Sequence, residues 1–139
     1  DHHGPTGYLV AAADTLAFER WCEQHWWPEL RQRYPLDTAL RETDRELVRL
    51  VHAPESTPAS LAERYPAHLH INLLPRLQRV GVGRALIGRL TAQLRRRGAA
   101  GVHLGVSPTN EPAIGFYRHI GFDPAAVEPD GGLIMVLSL

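Results

Sequence analysis

Lysine is missing from this chain of 139 residues, so its positive charge rests entirely on arginine. Arginines number as many as the acids, 15 of each, which leaves no net charge with histidine neutral. That balance gives no support for nucleic acid or an anionic membrane as a partner. Cysteine is almost missing too. Cys22 stands alone, so an intrachain disulfide is excluded and a reducing, cytoplasmic setting is expected. No run of about 18 apolar residues is present, so no segment is expected to span a membrane. The start, Asp1-His2-His3-Gly4, has neither the basic nor the apolar region of a signal peptide. Internal repeats and low-complexity tracts are absent. What is present is an ordinary apolar share of 44%, enough for one domain with its own core. Arginine suits planar, bidentate recognition of phosphate better than lysine does.

The first half of the chain reads as one strand followed by helices. Gly7 to Ala12 is a short strand, and Asp14 or Thr15 can cap the helix after it. There Leu16, Phe18, Trp21, Cys22, Trp26 and Leu30 recur at mostly helical spacing. Pro28 is expected to kink or restart that helix, and Pro35 to end the segment. Thr38 to His52 reads as a second amphipathic helix with Leu40, Leu47, Leu50 and Val51 as its apolar stripe. Residues 53–58 form a loop by composition, and Ala59 to Arg64 a helical turn.

The second half is more regular. His68 to Leu74 alternates polar and apolar, the period of a strand. Arg84 to Arg97 is a helix with Leu86, Ile87, Leu90 and Leu94 on one side, closed by Gly98. Gly101 to Val106 is a second strand. Thr109 or Asn110 opens a further helix that runs through Phe116 and Tyr117 and stops at Gly121. Phe122 starts an extended piece, Pro129 to Gly132 signals a turn, and Leu133 to Leu137 is a buried last strand. Strands alternating with helices, closed by a hairpin, imply a mixed α/β sheet.

Between the strand ending at Leu74 and the helix near Arg84 lies Gln78-Arg79-Val80-Gly81-Val82-Gly83. Glycine lets the backbone turn with its N–H groups bared. The first N–H groups of a helix have no internal partner and carry positive partial charge, so the junction suits a phosphate or diphosphate. Arg79 and Arg84 can add charge-assisted bonds. A Walker loop is excluded, because Gly83 is followed by Arg84-Ala85 instead of Lys-Ser/Thr. A dinucleotide fingerprint is excluded as well, because Leu86 stands where the third glycine belongs. These two failures count against an ATP- or NAD-binding protein.

The remaining pattern resembles the GNAT superfamily of acyl-CoA-dependent N-acetyltransferases. It runs from Leu73-x-Pro75 through Gln78-x-x-Gly81-x-Gly83 to Ala85-Leu86. It resumes about thirty residues later in Asn110-x-x-Ala113-x-x-Phe116-Tyr117-x-x-x-Gly121-Phe122. The residues 21–30 and Arg64-Tyr65-Pro66 resemble the acetyltransferase-like C-terminal domain of O-GlcNAcase and its bacterial homologues. The resemblance implies one domain over residues 1–139 with the GNAT fold, of α/β (α+β) class. It implies a mixed central sheet flanked by helices, two central parallel strands that splay near Ser107-Pro108, a helical insertion over 14–66, and an acetyl-CoA-binding core over 67–139. It also implies two strands and one or two helices ahead of Gly7, which this sequence does not contain.

The resemblance assigns roles. Backbone groups of Leu73 and Leu74 hold the pantetheine arm and acetyl carbonyl of acetyl-CoA. The N–H groups of Arg79, Val80, Gly81, Val82, Gly83 and Arg84 hold the diphosphate, with Gln78 in the same motif. Asn110 and Ala113 line the arm, and Tyr117 protonates the departing thiolate. An unidentified primary amine attacks the thioester directly. A phenol and an alkyl thiol have similar acidities in water, so that proton transfer is not strongly uphill. Arg89 or Arg95 can lean toward the 3′-phosphate.

For the base, His68 and His70 share one face of their strand and His103 lies on the neighbouring strand. Each is at least as well read as a strand histidine bonded to backbone. His68-x-His70 lacks a third ligand at metal spacing, so no metal is expected. Trp21, Trp26 and Trp27 read as core and insertion packing, and Cys22 as a small core residue. The non-catalytic alternative is a pseudo-acetyltransferase module that binds acetyl-CoA or a protein partner.

Overall fold

The computed structural model describes residues 4–37, 41–127 and 131–139. The chain opens with β1 (Gly7–Ala12) and four helices, α1 (Thr15–Trp21), α2 (Trp27–Arg33), α3 (Glu42–His52) and α4 (Ala59–Arg64). It continues with β2 (Ala67–Leu73), α5 (Val82–Arg96), β3 (Gly101–Val106), α6 (Glu111–His119), β4 (Asp123–Val127) and β5 (Leu133–Ser138). The sheet has the order β1-β2-β3-β5-β4 and is mixed: β2 and β3 are parallel, every other neighbouring pair antiparallel.

Local chemistry explains the helix ends. Asp14 is extended, and its carboxylate accepts the Ala17 N–H at 2.8 Å, the bond of an N-cap. A π-turn, Cys22–Trp26, separates α1 from α2 just ahead of Pro28. Proline has no N–H to give the preceding turn, so the ladder widens there and the helix restarts. Helix α5 begins two residues earlier than the leucine periodicity implies, because Val82 and Gly83 already follow the turn at Gly81. The pattern of α3 fares worse. Val48 is its buried residue, whereas Leu47 and Leu50 are exposed. Leu40, and Pro129 and Asp130 of the expected turn, lie outside the described residues. Trp21 and Trp26 are also exposed, which corrects their reading as core residues, while Cys22 is buried as expected.

Strands β2 and β3 set the functional geometry. β2 pairs with β1 from His68 to Leu73 but with β3 only at Ala67–Val102 and His68–His103. Past those two pairs the strands part, well before Ser107-Pro108. The sequence period marks both strands, but where their shared ladder stops is a tertiary property. On one face of the sheet, Ala67, Leu69, Val102, Leu104 and Met135 pack against Ile87 and Leu94 of α5 and Tyr117 of α6. Both parallel crossovers step the same way across the sheet, so right-handed connections place α5 and α6 together. On the other face, Thr15 of α1 ties down the start of β2: its N–H and its hydroxyl both donate to the Pro66 carbonyl, at 2.7 and 2.8 Å. Gly101 opens β3 where a β-carbon would press on the Tyr65 ring and come within 3.1 Å of the Leu137 carbonyl oxygen.

Candidate active site

The loop from β2 to α5 takes an unusual backbone path. A 3₁₀ turn, Pro75–Leu77, follows β2, and the Gln78 amide donates back to the Leu73 carbonyl at 3.0 Å. The backbone is left-handed at Arg79 (φ 61°) and again at Gly81 (φ 86°). Such alternation turns consecutive N–H groups toward one concave side and leads into the positive end of α5. Arg79 holds this conformation despite its β-carbon, at a cost of roughly 1–2 kcal/mol. Strain of this kind concentrates at ligand sites. At Gly81 an added β-carbon would meet nothing within 4 Å, so the demand there is conformational and the space in front is open. At Gly83 the demand is packing, since a β-carbon would lie 3.1 Å from the Phe116 ring.

That loop forms one end of a cleft of about 900 Å³ that runs between β2 and β3 where they part. Leu73, Gln78, Arg79, Gly81, Gly83, Arg84, Asn110, Ala113 and Tyr117 line it, so nine of the twelve sequence-assigned residues meet in one space. Leu74, Val80 and Val82 are not among the lining residues. Leu74 is the clearest departure: its N–H donates to the Thr6 carbonyl at 3.0 Å, on the β1 side. By strand alternation, Leu69, Ile71 and Leu73 then turn their backbone groups toward the parting. A motif match cannot tell these parities apart, but a ladder can.

Asn110 caps α6, its side-chain oxygen accepting the Ala113 N–H at 3.3 Å. Tyr117 is buried between Phe116 and Phe122, with ring centroids 5.4 and 5.6 Å away. Burial pushes its hydroxyl pKa above the ordinary phenol value, so the group stays protonated. That hydroxyl bonds to no described residue. Since no sealed-off side-chain polar atom among the described residues lacks a partner, the hydroxyl opens onto the cleft.

The three strand histidines share the face opposite α5 and α6. His68 Nδ1 lies 2.9 Å from the Thr15 hydroxyl, whose proton is already donated to Pro66, so Nδ1 is the donor. His103 Nδ1 donates to the Tyr65 carbonyl at 2.8 Å. Both imidazoles have their pKa lowered, His68 by burial and by its histidine neighbours, His103 by burial against the opposing pull of the Tyr65 carbonyl. Only His70, exposed, lines the cleft. Among the described residues no group of three or more His, Cys, Asp or Glu side chains is placed to hold a metal ion.

The lowered imidazoles carry a stability consequence. Unfolded histidine titrates near pH ~6.5, so below that pH the unfolded chain takes up protons that the folded chain refuses. Stability is therefore full above about pH 6.5 and declines as pH falls from there toward the folded-state values. The thermal midpoint is expected to drop on the order of a few degrees between about pH 7 and 5. His103→Gln, which keeps a donor for Tyr65 but cannot titrate, should flatten that slope. A midpoint independent of pH in both proteins would show that the two rings are not desolvated.

One pair was not legible in the sequence. Arg84 Nη2 lies 2.6 Å from His119 Nε2, joining the first turn of α5 to the last turn of α6, and both residues line the cleft. Arg89 instead lines a separate groove of about 300 Å³ beside β1, with Leu9, Ala11 and Leu90. No helix among the described residues is long and apolar enough to cross a membrane.

The chain is similar to several known proteins. The acetyltransferase (GNAT) family model matches residues 11–122. The solved structure of SsHAT superposes with a TM-score of 0.84 at 40% identity, covering 96% of this chain and 66% of that one. Protein O-GlcNAcase of Rattus norvegicus is 22% identical over 132 residues, which is 92% of this chain but 14% of that protein. The ribosomal protein bS18-alanine N-acetyltransferase of Escherichia coli K12 is 42% identical over 53 residues, 38% of this chain and 36% of that protein. The chain thus spans a small part of the length of these curated relatives.

Proposed function

The chain belongs to the acetyltransferase (GNAT) family, and on that premise we propose that it is an acetyl-CoA-dependent N-acetyltransferase passing the acetyl group directly to a primary amine. The observation that carries the reading is the single cleft joining the loop at Gly81, the parting of β2 and β3, and the Tyr117 hydroxyl. The residues fit an acyl-CoA. The bared N–H groups from Arg79 to Arg84 suit a diphosphate. Among the described residues no carboxylate lines the cleft, so nothing there opposes a polyanion. The backbone edge of Ile71 and Leu73 can bond the amides of a pantetheine arm as an added strand would, with Asn110 and Ala113 along its other side.

In this reading acetyl-CoA supplies an activated thioester, and the chain supplies position. Holding thioester and amine in one cleft converts a bimolecular encounter into an oriented one, worth several kcal/mol. A β2 N–H turned toward the parting can stabilise negative charge developing on the thioester oxygen. Tyr117 gives its proton to the departing sulfur. In this reading His70, which lines the cleft, takes a proton from the incoming ammonium. The bS18-alanine N-acetyltransferase, matched over 53 residues, supports an amine as acceptor. Calorimetric titration with acetyl-CoA should show saturable binding at one site per chain, and thiol release should appear with a member of a broad primary-amine panel. Absence of saturable binding would overturn the reading.

A further inference from the structure

Resting on that acetyl-CoA reading, we propose that His119 is a positioning residue that aims the Arg84 guanidinium at a phosphoryl group of the CoA nucleotide. The pair spans 35 positions of sequence and two helices, yet its nitrogens lie 2.6 Å apart. A guanidinium has donors only, so His119 Nε2 must be the acceptor. The imidazole therefore grips one N–H of the fork and leaves the others free. A fork held at one corner loses less freedom when it closes on an oxyanion.

The charge around the pair points the same way. Arg84 stands in the first turn of α5, where a cation opposes the helix dipole and weakens the helix. It has no ion-pair partner among the described residues, whose salt bridges are Arg31–Glu23 and Arg45–Glu42. The charged or titratable groups sharing the cleft with the pair are Arg79 from the loop, His70 from β2 and Tyr117 from α6, and none of them is a carboxylate. An uncompensated cation, placed against the local dipole and held by a neutral acceptor, is what anion binding requires and what helix stability disfavours. Arg89, on its separate groove, is the weaker candidate for this work.

The nucleotide offers two phosphoryl sources, the diphosphate and the 3′-phosphate, and the ligands separate them. CoA, dephospho-CoA and pantetheine are titrated calorimetrically into the whole chain and into R84A, H119A, H119Q and R84A/H119A, with melting midpoints to confirm folding. R84A should weaken CoA binding about tenfold or more, the scale of one hydrogen bond to a charged group. H119A should weaken it roughly fivefold by freeing the fork, and H119Q, whose amide oxygen can accept from Arg84, should restore most of that. In the R84A background H119A should do nothing further, since its effect passes through Arg84. Losses confined to CoA identify the 3′-phosphate, and equal losses for CoA and dephospho-CoA identify the diphosphate; either supports the proposal. Unchanged CoA affinity in H119A, equal losses for pantetheine, or additivity in the double variant would overturn it. Failure of the unmodified chain to bind CoA would overturn the acetyl-CoA reading itself.

Discussion

Gly81→Glu is expected to abolish saturable acetyl-CoA binding, a loss of at least about 100-fold, while the protein stays folded. Two effects combine at this position. Gly81 sits at φ 86°, where a residue with a β-carbon costs roughly 1–2 kcal/mol, so the loop resists its own shape. The open space in front of it lets the new carboxylate occupy the concave side of the loop, where the N–H groups gather. There it takes the place of a phosphoryl oxygen and repels any that approaches; charge-assisted bonds lost at such a site are each worth about 1.5–3 kcal/mol. Nothing packs against the position, so the melting midpoint should move by only a few degrees. Gly81→Ala separates the two effects, because it brings the strain without the charge and should weaken binding about tenfold. Calorimetry on the three proteins decides the matter. Wild-type affinity in Gly81→Glu would mean that the diphosphate is held elsewhere.

The parts of this fold legible in the sequence are those whose signals are local. The strand–loop–helix–strand–helix order from β2 to α6 follows from alternation, a capping asparagine and glycines at breaks. The elements stand within one or two residues of their expected places. The turn at Gly81 was legible because a glycine ahead of a helix has few physical uses. What escaped was relational. Amphipathic spacing in α1, the π-turn after it and α3 shows that a helix has two faces, not which of them is covered, and so Trp21, Trp26, Leu47 and Leu50 stand exposed. The point where β2 and β3 part depends on two strands at once. The same holds for the orientation of Leu74, whose N–H goes to Thr6 only because β1 lies beside it. Arg84 and His119 meet because two crossovers share a face of the sheet, and no period in the sequence records such a meeting.

Tyr117→Phe is expected to lower turnover about 100- to 1,000-fold, the range of a lost general acid, while acetyl-CoA affinity changes less than about twofold. The substitution is clean for a structural reason. The hydroxyl bonds to no described residue, so its loss leaves no orphaned partner, and the ring keeps its contacts with Phe116 and Phe122. The raised pKa bears on the chemistry in two ways. It keeps the phenol protonated, ready to donate, well above neutral pH. It also makes the phenol a weaker acid, which would make the transfer costly if the thiolate were well solvated. A thiolate leaving inside the same cleft is desolvated by the same walls, and its proton affinity rises with that of the phenol. The match is therefore preserved in the cleft although both groups have moved from their values in water. Thiol release with a productive amine, measured across pH, is the decisive readout. The wild type should lose rate on the alkaline side as the phenol ionises, and Tyr117→Phe should lack that limb. Turnover within about threefold of wild type, with the alkaline limb intact, would remove Tyr117 from the reaction and leave the thiolate to depart unaided.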